Sequence, residues 1–254
     1  MRYSIAKVRI SAVTMGDALK LIEEQTIKKE PAHVCIANVR VVVLCQKDDD
    51  LCRIENVSFL TLPDGMPLVW FAKLAGVKGV ERVTGVDLMT KIFALSAEKS
   101  YSHYFVGDTD ITLKRMTEII HYRYEGIDIK GTFSPPFRDL ADAEVGNIAK
   151  EINRLKPSFV WVAMRAPKQE KLMARLIPRL ERSILIGVGA AFRFMIGEYK
   201  HPSKFVQVCG LEGLCWRFLS NPIKEARWYC YHVPVFGCYL LIALLRRIGR
   251  PRNG

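Results

Sequence analysis

Asp64 sits in Leu62-Pro63-Asp64-Gly65-Met66, where the apolar run 57–62 stops at Pro63 and Gly65 and a helical segment opens at Met66. The run predicts a strand, and a carboxylate at the carboxyl end of a strand stands where α/β sheets bind ligands. Such a group can take the proton from an attacking hydroxyl. Its place just ahead of a helix suits an N-cap equally well. The residues alone leave both readings open.

Two more loops follow strand-like runs. Ala166-Pro167-Lys168-Gln169-Glu170 comes after the strand predicted over 158–164. Pro167 fits a first helical turn, which leaves the amides of residues 168–170 facing a cleft. Free amides and a lysine at a helix start form an anion site suited to a diphosphate. An ordinary, solvated helix start fits those residues as well. Gly187-Val188-Gly189-Ala190-Ala191-Phe192 is the second loop, and its glycines permit close approach of backbone to ligand, or a tight turn. It is not G-x-G-x-x-G, and no acid follows about twenty positions on, which disfavours a redox dinucleotide fold. Asp108-Thr109-Asp110 is a D-x-D that could hold a metal, but Asp108 reads better as a helix cap. Asp48-Asp49-Asp50 reads as the solvated end of the preceding helix. The five histidines lack metal-ligand spacing, so no metal site is expected. Neither a P-loop nor a nucleophile elbow is present.

These loops need a scaffold that collects them. Strands are predicted over 33–37, 57–62, 101–106, 127–133, 158–164 and 183–188, and helices over 39–46, 66–75, 86–98, 109–124, 141–155 and from Pro167 to about 180. Strands alternating with helices of this length predict an α/β fold: a mostly parallel, Rossmann-like sheet covered by helices on both faces.

Past residue 199 the pattern changes, dividing the chain into an α/β catalytic core over 1–199 and a basic, apolar C-terminal appendage over 200–254. The run 228–245 is almost unbroken apolar sequence interrupted by Pro234 and Gly237, with Arg246-Arg247 behind it. A span needs about 20 apolar residues. The interior Pro and Gly, the flanking Trp228, Tyr229 and Tyr231, and the basic residues favour an element lying in a membrane surface; a core helix and a span are the alternatives. The 254 residues carry 38 Lys and Arg against 26 Asp and Glu, a formal charge of +12 that favours polyanionic partners. Seven cysteines without C-x-x-C spacing, and a start without signal-peptide character, predict reduced thiols in a cytoplasmic protein.

Asn38 after its strand, Leu62-Pro63-Asp64-Gly65, Arg82-Val83-Thr84-Gly85-Val86-Asp87-Leu88, Phe105-Val106-Gly107, Pro167-Lys168-Gln169-Glu170, the Gly187 loop and Gly210-Leu211-Glu212 occur in that order. The ordered set, over about residues 30–230, resembles the WecG/TagA/CpsF family of bacterial glycosyltransferases. The resemblance implies a UDP-sugar donor, a polyprenyl-diphosphate-linked sugar acceptor, inversion without metal or other cofactor, and synthesis of a cell-surface or extracellular polysaccharide. It implies a peripheral place on the inner face of the plasma membrane, with the appendage docking there, and no nucleic acid. It leaves homo-oligomer formation open. Carried onto this chain, it makes Asp64 the catalytic base and Asn38 a substrate-orienting neighbour. Gly107, Lys168, Gln169, Gly187 and Gly189 bind the donor, and Arg217, Lys224 and Arg227 meet the acceptor diphosphate or anionic lipid.

The chain departs from the family where Thr is replaced by Ile36, Gly by Arg165 and Asp by Arg193, the last putting the usual nucleoside contact in doubt. The family's Trp after Gly-Leu-Glu is Gly213, and its Arg-Ala-Pro is Lys200-His201-Pro202. These changes suggest a divergent donor or acceptor. An inactive membrane scaffold and a nucleic-acid-binding protein are the competing readings.

Overall fold

The structure is a computed structural model describing residues 1–199 and 231–242. A hairpin, β1 (Arg2–Ile5) and β2 (Val8–Ser11), precedes α1 (Met15–Lys28), which a Thr14 capping box starts. The chain then runs β3 (Ala32–Ala37), α2 (Val39–Leu44), α3 (Asp49–Val57), β4 (Leu60–Pro63), α4 (Met66–Leu74) and α5 (Gly85–Lys99). It continues through β5 (Ser102–Gly107), α6 (Asp110–Arg123), β6 (Asp128–Phe133), α7 (Asp142–Leu155), β7 (Phe159–Ala163), α8 (Lys168–Leu176), β8 (Ile184–Gly187) and α9 (Ala191–Met195). Six strands form one sheet in the order β4-β3-β8-β7-β5-β6, with every pairing parallel.

Both faces of that sheet are covered, and side-chain alternation shows how. Phe159, Trp161 and Ala163 of β7 join a core with Ile22, Phe93 and Met116 from α1, α5 and α6. Val160 and Val162 face the other way, among Ile148, Ile152 and Met173 of α7 and α8. Hence the central strands read as continuous apolar runs.

The stretch 48–59 overturns two expectations. Asp48 does not end a helix; it caps α3, its Oδ1 accepting from the Leu51 amide at 2.9 Å, and Asp49 and Asp50 fill the first turn. Carboxylates there favour the positive end of the helix dipole. The predicted strand over 57–62 consequently begins only at Leu60, because Val57 still belongs to α3. Arg2 closes that helix from far away in sequence, donating to the carbonyls of Asn56 and Phe59 at 3.1 Å each and to that of Ser58. Local periodicity carries no trace of such a contact.

His103 is a core residue, not a ligand. The Trp161 indole donates to its Nδ1 at 3.1 Å, so its Nε2 carries the proton and donates to Ser96 Oγ at 2.8 Å. Burial holds its pKa down at about 3, against 6.5 for a free imidazole. The unfolded chain therefore takes up a proton below pH 6.5 that the folded chain refuses, and stability falls as the pH drops from 6.5 toward 3. By linkage this residue should cost about 3 kcal/mol between pH 6.5 and 4. Urea unfolding across that range should show a shallower acid slope in His103→Gln; equal slopes would mean that the buried ring is charged.

Residues 231–242 are helical, and Phe236 is buried in the core cluster of Tyr3, Val41, Leu68, Val69 and Phe71. Tyr231, Val233, Leu241 and Ile242 remain exposed on this segment. The apolar run is thus part core and part surface. Among the described residues no helix is long and apolar enough to cross a membrane. The boundary expected between residues 199 and 200 reaches into residues that lie outside the described ones.

Candidate active site

Asn38, Asp64, Gly107, Lys168, Gln169, Gly187 and Gly189 all lie at or just beyond the carboxyl ends of strands, so the parallel sheet brings them to one edge. Along that edge the order is Asp64 after β4, Asn38 after β3, the glycines of β8, the start of α8 after β7, and Gly107 on β5. Adjacent strands are about 4.8 Å apart, which makes Asp64 and Asn38 immediate neighbours. Ala37 pairs with Pro63, and the Asp64 amide donates to the Ala37 carbonyl at 2.7 Å.

The cap of α4 is Gly65, at φ +109 and with no side-chain capping bond, so Asp64 is not the N-cap. Asp64 is half-buried at the sheet edge. Asn38, by contrast, does cap α2: its Oδ1 accepts from the Val41 amide at 3.3 Å. That use engages the oxygen and leaves the Nδ2 donors aimed at no described group. The loop 82–85 completes this end. Val83 donates to the Pro63 carbonyl at 2.9 Å, and a Cβ on Gly85 would lie 3.0 Å from the Val188 carbonyl oxygen. Arg82, whose side chain is 17% exposed and 3.8 Å from Asp87, belongs to this loop. The Thr84–Asp87 cap spacing is the sequence signal that marks this loop as a helix start, whereas the crowding at Gly85 exists only in the folded protein.

At the start of α8 the expectation of three free amides needs correction. Pro167 is the cap residue, not the first helical one, and the Lys168 amide donates to the Arg165 carbonyl at 2.9 Å. The Lys168 ammonium lies 3.2 Å from Asp139 with both side chains exposed, a contact worth little that an anionic ligand can displace. Gln169 is buried, and its side chain is spent on the protein: Oε1 accepts from the Gly189 amide at 2.9 Å and Nε2 donates to Glu170 at 2.7 Å. Gly187 makes room for it, since a Cβ there would sit 3.0 Å from Gln169 Nε2.

β5 leads outward to β6, while its neighbour β7 leads the other way to β8, so the topological switch point lies between β5 and β7. Gly107 ends β5 there at φ +121, and a Cβ on it would overlap the Ala163 carbonyl. Asp108 is not the cap of α6, a role that belongs to Thr109. Arg193 grips Asp108 in bidentate fashion, at 2.8 and 2.9 Å. Burial is the largest single influence and would raise the Asp108 carboxyl, but the hydrogen bonds and charge of Arg193, the Thr109 amide and Thr112 together outweigh it and hold the group below the usual carboxylate range. The residue at the family's aspartate position thus has a defined partner. Among the described residues no group of three His, Cys, Asp or Glu side chains is placed to hold a metal ion. Arg217, Lys224 and Arg227 lie outside the described residues.

Residues 3–250 match the profile described as the glycosyl transferase WecG/TagA/CpsF family. Similar curated proteins carry the name N-acetylglucosaminyldiphosphoundecaprenol N-acetyl-beta-D-mannosaminyltransferase. That of Bacillus subtilis (strain 168) is 25% identical over 200 residues, covering 79% of this chain and 76% of the relative. That of Bacillus spizizenii is 28% identical over 167 residues, 66% of this chain and 62% of the relative. A third, from Staphylococcus aureus (strain MW2), is 21% identical over 258 residues, spanning 99% and 98% of the two chains.

Proposed function

The chain belongs to the WecG/TagA/CpsF family of glycosyl transferases, and from that premise we propose that it moves a sugar from UDP to a polyprenyl-diphosphate-linked saccharide with inversion. The product serves synthesis of a cell-surface or extracellular polysaccharide. The names of the relatives specify an undecaprenyl-diphosphate-linked N-acetylglucosamine acceptor, which is of this class.

The observation that carries the reading is a half-buried aspartate, Asp64, next to Asn38 beyond the adjoining strand at the carboxyl edge of the sheet. Asp64 takes the proton from the acceptor hydroxyl as that oxygen attacks the anomeric carbon. With one base and one displacement, attack comes from the face opposite UDP, and the configuration inverts. The Nδ2 donors of Asn38 orient the reacting sugar. Lys168 and the Gly187–Gly189 turn hold the diphosphate and stabilise its charge as it leaves. Arg217, Lys224 and Arg227, with the exposed apolar side chains of residues 231–242, bring this edge to the inner membrane face where the acceptor resides.

The test is purified protein in detergent with a panel of UDP-sugars, a lipid-diphosphate-sugar acceptor and mass detection of product. Transfer from at least one UDP-sugar is expected. UDP binding without any transfer would favour the inactive scaffold, and salt-sensitive binding to nucleic acid without liposome binding would favour the third reading. Transfer should also persist in EDTA, since Arg193 already occupies both Asp108 oxygens. Loss of activity on chelation, restored by manganese or magnesium, would return a metal role to Asp108 and Asp110.

A further inference from the structure

Below the carboxyl edge two acids are buried that the transfer chemistry leaves unused. Glu55 on α3 and Glu170 on α8 are both 0% exposed, where these two helices pack against each other beside Cys35, Ile54 and Met173. Neither carboxyl oxygen of Glu55 has a hydrogen-bond partner among the described residues, and neither does Oε2 of Glu170. The nearby hydroxyls of Ser58 and Thr61 donate instead to the Glu55 backbone carbonyl, at 2.8 and 2.7 Å. An isolated carboxylate is costly in such surroundings. Burial, then the charge of Glu170, pushes the Glu55 carboxyl well above the ordinary range, and burial raises Glu170 too.

One oxygen of this pair is engaged. Glu170 Oε1 accepts from Gln169 Nε2 at 2.7 Å, and Gln169 Oε1 in turn accepts from the Gly189 amide at 2.9 Å. A carboxamide has one accepting and one donating end. By claiming the donating end, Glu170 turns the accepting end toward Gly189. That residue stands at φ +59, and nothing lies within 4 Å of where a Cβ would stand, so no packing on that side holds its backbone.

We propose that Glu170 is a positioning residue for the donor site, acting through Gln169 to fix the backbone of the Gly187–Gly189 turn. The proposal rests on the reading of that turn as part of the donor site.

Reach, rather than charge, is what this role requires, and two conservative variants separate them. Glu170→Gln keeps the reach and an accepting oxygen while losing ionisation. Glu170→Asp keeps the carboxyl but falls one methylene short of Gln169. The full-length protein would be assayed by titration with UDP and by amide hydrogen exchange of the peptide containing Gly189. Glu170→Gln should match the parent in both. In Glu170→Asp, Gly189 should exchange faster and the UDP Kd should rise about tenfold, as losing one buried hydrogen bond implies. The reverse order, with Asp near the parent and Gln impaired, would overturn the proposal. Unchanged exchange in a folded Glu170→Asp would do the same. Should that variant not fold, loss of Gly189 protection in Glu170→Gln is still sufficient to overturn it. Faster exchange with an unchanged UDP Kd would keep the Glu170 contact and sink the donor reading of the turn instead.

Discussion

Asp64→Asn is expected to lower turnover by about a hundredfold or more, because a positioned general base contributes typically 10²–10⁴-fold. The substitution is nearly isosteric and keeps the backbone bond from residue 64 to the Ala37 carbonyl. It removes no helix cap, since Gly65 holds that position in α4. Folding and UDP affinity should therefore stay close to the parent, and the loss should appear in kcat. Parallel measurement of kcat, the UDP Kd and the thermal midpoint separates these effects. Turnover within about tenfold of the parent would lie below the range for general-base catalysis and remove Asp64 from that role.

Gly107→Ala should have the largest effect on stability. At φ +121 an L side chain is strained by about 1–3 kcal/mol. The added methyl also meets the backbone of Ala163 on the paired strand, its carbonyl carbon 2.7 Å away. Rigid backbone cannot yield as a flexible side chain does, so overpacking adds about 1–3 kcal/mol more. Against a typical total of 5–15 kcal/mol, the sum of roughly 2–6 is severe. Gly189→Ala makes the natural control: its φ is +59, but no atom lies within 4 Å of the new methyl, and its cost should be about 1 kcal/mol. Urea midpoints for the two variants test the difference. Equal midpoints would show that β5 and β7 separate freely at their carboxyl ends.

Those two glycines look alike in sequence, each following an apolar strand. Only the partner strand tells them apart. The same holds for the polar residues of the site. The position of Asp64 was legible because Pro63 and Gly65 act on their own backbone within a residue or two. The fate of Gln169 was not legible, because the donor to its side-chain oxygen is the Gly189 amide, brought beside it when β8 inserts between β3 and β7. Arg193 looked like a lost nucleoside contact; the fold gives it Asp108, from the far side of the switch point.

What the sequence by itself determined, then, is the alternation of strand and helix, the apolar character of the central strands and the residues standing at their carboxyl ends. Each follows from short-range causes: side-chain periodicity, helix caps, and glycine and proline punctuation. The tertiary structure decided the strand order β4-β3-β8-β7-β5-β6, and with it which loops adjoin. It also decided where α3 ends, through Arg2, and which side chains are spent inside the protein rather than offered to a ligand. These outcomes depend on hydrogen bonds and packing between segments far apart in the chain, whose proximity exists only once both faces of the sheet are buried.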